Sequence, residues 1–190
     1  MGKEQLVLVN ADDETVGYDT KENCHNGMGK LHKAFSILIF TTDGRLLLQK
    51  RSAHKRLWPL YWSNSVCSHP TRGEKVDVAA RRRLREELGI DIPVHWLYAF
   101  KYHASYLDVG SESEMCSVYF AIYDGPIRPD SNEIEAIQLV HMDRVKETID
   151  QSPGIFTPWF KMEWEIILNE YTERIRTFMD ARRRSVRLFS

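Results

Sequence analysis

A thiol and an imidazole stand two positions apart in Asn64-Ser65-Val66-Cys67-Ser68-His69-Pro70. In an extended chain, alternate side chains leave from the same face, so Cys67 and His69 can meet one ligand. A reactive Cys beside a metal-capable His is chemistry rather than ordinary core filling. Glu87 follows in the run Arg82-Arg83-Leu84-Arg85-Glu86-Glu87-Leu88-Gly89, and Glu112 and Glu114 repeat the two-residue spacing. With His25 and His32, the set offers three neutral nitrogens and two carboxylates. Such mixed donors suit Mn²⁺, Fe²⁺ or Zn²⁺, whereas Mg²⁺ and Ca²⁺ prefer all-oxygen shells. Spacing alone also fits a blander picture, in which each His is a surface or hydrogen-bonded residue, because no local His-Glu motif joins them.

Several elements must position these groups. Gln5 to Asn10 reads as a short strand, and residues 11 to 30, polar and holding Gly17, Gly27 and Gly29, read as loop or irregular chain. Leu31 to Phe40 is a longer strand closed by Thr41-Thr42-Asp43-Gly44. That Asp-Gly turn leads into Arg45 to Lys50, a β-hairpin signal. Over Glu74 to Leu88, the recurrence of Val76, Ala80, Leu84 and Leu88 every four residues predicts a helix that Gly89 can end. Further strands are expected at Leu97 to Tyr102, Met115 to Tyr123 and Ile137 to His141. After Pro158, an amphipathic helix is expected from Trp159 to about Arg182, burying Trp164, Ile167, Leu168, Tyr171, Ile175 and Phe178. This is a mixed α/β (α+β) order with hairpins and not a repeating βαβ chain.

The totals set bounds. A chain of 190 residues with 43% hydrophobic and 28% charged residues fits one soluble domain, 1–190. A net charge of -1 argues against a general nucleic-acid binder, so any anion site is local. Apolar runs such as Ile37 to Phe40 are too short to span a bilayer. Met1-Gly2-Lys3-Glu4-Gln5 opens no signal-peptide segment, which predicts a cytoplasmic protein. Cys24, Cys67 and Cys116 read as free thiols. The basic end from Arg182 to Arg187 reads as a solvated helix terminus.

Glu74, Arg82, Glu86, Glu87 and Gly89 have the spacing of the Nudix box, whose glutamates hold Mg²⁺ against a diphosphate. Two positions depart from it. Ser68 replaces the opening Gly, and Arg83 replaces the Glu that normally follows the Arg, so a hydrolytic metal cluster would lack one carboxylate. With that altered box, the chain resembles the type I isopentenyl-diphosphate isomerases, Nudix-fold enzymes that do not hydrolyse their substrate. The resemblance runs from His25 and Leu31-His32 through Arg51, Lys55 and Trp58-Pro59 to Cys67-Ser68-His69-Pro70. It continues through Arg82-Arg83, Glu87-Leu88-Gly89, Tyr102 and Glu112-Ser113-Glu114, and ends at Pro158-Trp159.

The resemblance implies a Nudix-type fold, with mixed and antiparallel sheets packed between helices. It implies that His25, His32, His69, Glu112 and Glu114 bind one divalent metal of the Mn²⁺, Zn²⁺ or Fe²⁺ type, and that Glu87 holds a separate Mg²⁺ escorting the diphosphate. Lys21, Arg51, Lys55 and Arg83 match or lie near positions that meet phosphate oxygens. The implied reaction moves a double bond between isopentenyl and dimethylallyl diphosphate, by protonation to a tertiary carbocation and loss of a proton. Cys67 and Glu114 are the candidates for the two faces, Tyr102 assists the carboxylate, and Trp159, or more weakly Trp62, lays a π face against the cation. The expected partner is this small diphosphate, with no nucleic acid or membrane, on a monomer or weak homodimer. The competing readings are a Nudix pyrophosphohydrolase, which leaves Cys67 without a role, and a non-catalytic diphosphate-binding module, which needs no acid-base pair.

Overall fold

Alternation along one strand organises the molecule, whose computed structural model describes residues 4–187. The first three residues of the N-terminal reading above lie outside that range. In β3 (His32–Phe40), Ala34, Leu38 and Phe40 join one apolar cluster while Phe35, Ile37 and Ile39 join another. Successive strand side chains point to opposite faces. A strand with both faces covered therefore reads as a near-continuous apolar run.

One edge of β3 pairs in parallel with β8 (Gly110–Ile122), in register from His32 opposite Glu114 to Phe40 opposite Ile122. β8 in turn forms a long antiparallel hairpin with β7 (His95–Tyr106). The other edge is shared. β1 (Gln5–Val9) meets it at His32, β6 (Val66–Ser68) pairs with Phe35 to Ile37, and β4 (Arg45–Arg51) meets it at Phe40. β2 (Thr15–Thr20) flanks β1, and β5 (Trp62–Ser63) and β9 (Ile134–His141) flank β4.

Helices cover both faces. On one, α2 (Val76–Leu88) lays Ala79, Ala80, Leu84 and Leu88 against Phe35, Ile37 and Ile39. It stops at Gly89, whose φ of 70° closes the last turn. On the other lie α4 (Pro158–Ile166) and α5 (Thr172–Arg187), with Phe160, Trp164, Ile167, Ile175 and Met179 buried. The mixed sheet between helices expected from the sequence is therefore present.

Four local expectations change. Residues 11 to 30 hold β2 and the short α1 (Lys21–His25), whose N-terminus Thr20 caps by accepting from the Asn23 N–H at 3.3 Å. β2 is largely exposed and α1 has five residues, so neither shows an apolar period. A helix not anticipated, α3 (Met142–Gln151), buries Met142, Val145 and Ile149. The Asp43-Gly44 turn forms, but β3 and β4 share a single registered pair because β6 takes the edge that a hairpin would use. The C-terminal helix is interrupted by a π turn at Ile167–Tyr171, where the Thr172 hydroxyl lies 3.1 and 3.3 Å from the Ile167 and Leu168 carbonyls.

Glu163 in α4 is fully buried with both carboxylate oxygens unpaired. Burial pushes its carboxyl up to about 8, opposed by the Ser36 hydroxyl. From about pH 4.5 to about pH 8, the folded chain thus keeps a proton that the unfolded chain releases. Stability should fall by up to roughly 1.4 kcal/mol per pH unit across that window and level off above it. Glu163→Leu is expected to abolish this slope and raise stability at pH 8.5 by a few kcal/mol (about 1–4). Urea unfolding at pH 5, 7 and 8.5 measures it; parallel pH dependence in both proteins would refute a neutral, buried Glu163.

Candidate active site

Four segments bring three imidazoles and two carboxylates together. α1 carries His25, the first residue of β3 is His32, His69 follows β6, and β8 supplies Glu112 and Glu114. All five are buried, and one ligand atom of each lies within 4.8 Å of the others. The Nδ1 atoms of His25 and His32 sit 2.6 and 2.7 Å from the Lys21 and Lys30 carbonyls. Each Nδ1 must therefore carry the proton, which leaves the Nε2 lone pairs facing the cluster. His25 Nε2 lies 2.7 Å from Glu112 Oε2, yet both are buried without a hydrogen-bond partner. Two acceptors this close repel unless a positive charge lies between them. This donor set fits a divalent metal, and the group can bind one.

Electrostatics agree with neutral imidazoles at His32 and His69. Burial, reinforced by His25, pulls His32 down to about 4, and burial with the other two imidazoles holds His69 well below its usual value. At Glu112, burial acts upward but contact with His25 overrides it and holds the carboxyl low. At Glu114, burial and the charge of Glu112 push the carboxyl well above the ordinary range. Glu114 is the hub: Oε1 lies 2.9 Å from His69 Nε2 and 3.7 Å from His32 Nε2, and Oε2 accepts from the Tyr102 hydroxyl at 2.6 Å. Tyr102 stands directly opposite Glu114 in the β7–β8 register.

The cluster depends on close backbone approach. A Cβ on Gly110 would overlap the His25 carbonyl oxygen. Gly110→Ala should therefore push α1 away from β8 and lower metal affinity by about 10- to 100-fold. Competition with a colorimetric chelator measures it, and unchanged affinity would show that α1 tolerates the shift.

Cys67, half-buried on β6, lines the same cavity as Glu114. Burial pushes its thiol up to about 12 against the opposing pull of Arg51, so it is protonated at neutral pH. Arg51 contacts Cys67 Sγ through Nη1 at 3.5 Å and donates to the Trp58 and Leu57 carbonyls at 3.0 and 2.9 Å. Those carbonyls belong to a bend where Trp58 has φ 48°, a left-handed conformation costing about 1–3 kcal/mol for a bulky residue. The same guanidinium lies 5.2 Å from the Trp159 ring centroid. Trp159 is fixed by its indole N–H to Asn64 Oδ1 at 3.2 Å and packs edge-on against Trp58.

Lys55 and Arg83, which line the same cavity, belong to a network of charges. Arg83 meets Glu87 at 2.7 Å, Glu133 at 2.8 Å and Glu86 at 2.9 Å. Lys55 makes a close ion pair with the same Glu133. Burial pushes the Glu87 carboxyl up, although Arg83 counteracts it. Glu74 and Arg82 of the box form a bidentate pair at 2.8 and 2.9 Å that anchors the start of α2.

One cavity of about 360 Å³ joins these parts. Its lining includes Cys67, Tyr102, Glu114 and Trp159, the cations Lys21, Arg51, Lys55 and Arg83, and His25, His69 and Glu112. His32 and Glu87 lie behind this wall, touching it through Glu114 and Arg83. Trp62 is not among the lining residues, which removes the weaker candidate for a cation-facing ring. Sequence reasoning missed Glu133 and Asn64. Glu133 falls in no motif, and Asn64 stood inside the quoted heptapeptide without an assigned partner.

Residues 30–160 match the NUDIX domain family. An isopentenyl-diphosphate Delta-isomerase 1 of Photorhabdus laumondii is 39% identical over 174 residues, covering 90% of this chain and 99% of that protein. An isopentenyl-diphosphate Delta-isomerase of Nocardia farcinica is 37% identical, covering 88% and 97%. Among solved structures, a Deinococcus radiodurans protein superposes with a TM-score of 0.69 at 22% identity, covering 84% of this chain and 96% of the other. A MutT protein of Methanosarcina mazei gives 0.62 at 15%, covering 74% and 94%.

Proposed function

We propose the following division of labour from the premise that the chain belongs to the NUDIX family and, within it, to the isopentenyl-diphosphate Delta-isomerases. The protein is an isomerase that interconverts isopentenyl and dimethylallyl diphosphate. One observation supports the residue assignment most: two proton carriers, Cys67 and the Glu114–Tyr102 pair, line one cavity together with Lys21, Lys55 and Arg83.

An unactivated alkene is a very weak base, so its protonation needs a well-placed acid, excluded water and a stabilised cation. In this reading the diphosphate lies at the Lys55–Arg83 end and the five-carbon tail reaches between Cys67 and Glu114. One of the two gives a proton to the terminal methylene, producing the tertiary carbocation. The other removes a proton from the carbon adjacent to the diphosphate-bearing carbon. Tyr102 holds Glu114 Oε2 and passes the proton to and from it. Trp159 offers its ring to the cation, an attraction of roughly 2 kcal/mol or more in a dry site. Arg51 orients Cys67 and keeps the Leu57–Trp58 bend in place, in addition to the phosphate contact expected of it.

His25, His32, His69, Glu112 and Glu114 hold one Mn²⁺, Zn²⁺ or Fe²⁺, which would fix the orientation of Glu114 and bias its acidity. Glu87 is assigned to a Mg²⁺ that accompanies the diphosphate. The whole chain, 1–190, acts as one cytoplasmic domain, a monomer or weak homodimer, with no nucleic-acid or membrane partner. No helix among the described residues is long and apolar enough to cross a membrane. Incubation of isopentenyl diphosphate with the protein, Mg²⁺ and Mn²⁺ in D₂O, followed by NMR, tests the chemistry. Dimethylallyl diphosphate carrying deuterium is expected. Product without deuterium would exclude exchange through protein acids and point to a shielded internal transfer.

A further inference from the structure

Glu133 stands outside every motif of the sequence, yet it is the carboxylate that Lys55 and Arg83, two of the cations assigned to the diphosphate, share. Lys55 is paired with its Oε2, and Arg83 Nη2 lies 2.8 Å from its Oε1. Both carry over three-quarters of their side-chain surface out of solvent, as does Glu133 itself. Burial alone would raise the Glu133 carboxyl, but Lys55 and Arg83 override it and hold it near 2, so it is a fixed negative charge at neutral pH. Its backbone is pinned, because the Glu133 carbonyl accepts from the Ser52 N–H at 2.9 Å and its own N–H donates to the Asp130 carbonyl at 3.0 Å. Arg83 is also shared with Glu87 at 2.7 Å and Glu86 at 2.9 Å. Lys55 and Arg83 are thus already engaged by carboxylates, which a bare polyanion would have to displace.

We propose that Glu133 makes this end of the cavity selective for the divalent-metal complex of a diphosphate over the bare diphosphate. This rests on the assignment of Lys55 and Arg83 to the diphosphate. A bare diphosphate must take both cations from a carboxylate that stays beside its oxygens, and like charges at such range in a partly buried site repel strongly. A diphosphate that brings its own divalent cation reverses the sign: Glu133, with Glu87, then faces net positive charge. The metal requirement is thereby written into a residue of the protein and not into the ligand alone.

Calorimetric titration of inorganic diphosphate, in EDTA and in Mg²⁺, into wild type, Glu133→Gln, Glu133→Ala and Glu133→Asp tests it, with thermal melting to confirm folding. The neutral variants are expected to bind bare diphosphate roughly tenfold more tightly than wild type, while the Mg²⁺-dependent gain shrinks. Glu133→Asp, which keeps the charge, should keep the wild-type ratio. A mere structural tie would give the opposite result, since untethered Lys55 and Arg83 would weaken both forms together. That outcome, or an unchanged ratio in whichever neutral variant folds, overturns the proposal. Failure of the wild type to bind inorganic diphosphate even with Mg²⁺ would instead count against the diphosphate assignment.

Discussion

Cys67→Ala is expected to lower kcat by at least about 10³-fold while leaving the melting temperature within a few degrees of wild type. The magnitude follows from the role: a positioned acid or base contributes about 10²–10⁴-fold, and an alkene tolerates its loss poorly. The fold should survive because the β3–β6 pairing at Cys67 is made by backbone, opposite Ser36, and the side chain is only half-buried at the cavity wall. Burial raises the thiol to about 12, so the group arrives as an acid, and ionising it should leave no alkaline limb in the pH profile below that value. Cys67→Ser keeps the size and hydrogen bonding but has a far less acidic proton, so it too should lose most turnover. Single-turnover NMR with isopentenyl diphosphate separates chemistry from release. Activity within tenfold of wild type in Cys67→Ala would remove the thiol from the proton path.

Glu114→Gln should be at least as damaging, with a second signature. Glu114 touches His69, His32 and Tyr102 at 2.9, 3.7 and 2.6 Å, so one side chain serves both the metal cluster and the proton relay. The amide still accepts from Tyr102 but has lost the charge and half of its acceptor capacity. Turnover is expected to drop below detection, and metal retained after dialysis against chelator should fall markedly, read by elemental analysis. Tyr102→Phe separates the roles: it should slow turnover while leaving the metal in place. Full metal retention in Glu114→Gln together with lost turnover would confine Glu114 to proton transfer.

The site was more legible than the frame around it, for a physical reason. Cys67, His69, Glu112 and Glu114 announce themselves because rare side chains at two-residue spacing have few structural uses, although the strand carrying both glutamates was read as starting only at Met115, since Gly110 to Glu114 is polar. β2 and α1 left no such mark, although α1 delivers His25, because an exposed strand and a five-residue helix bury too little to show a period. The π turn in the C-terminal helix has no sequence signature of its own. Glu133 is invisible because its significance lies in Lys55 and Arg83, which lie 78 and 50 positions away. Arg51 was legible as a charged residue but not as a brace for the Trp58 bend, since nothing in its spacing tells which carbonyls it will meet.

The parallel ladder between β3 and β8 has a consequence for how the protein is made. It sets His32 against Glu114, 82 positions later in the chain. A nascent chain emerging from its N-terminus has all three imidazoles, and the β3–β6 pairing that holds His32 and His69 near each other, long before either carboxylate is synthesised in β8. Contacts this distant in sequence are slow to form. The full five-ligand set is therefore complete only once β8 has docked on β3. Before that point the half-made chain offers imidazoles alone, without the two carboxylates of the set. In refolding experiments, metal uptake should serve as a clock for closure of the central sheet, lagging behind the helical signal of α2, whose contacts along its own turns are local.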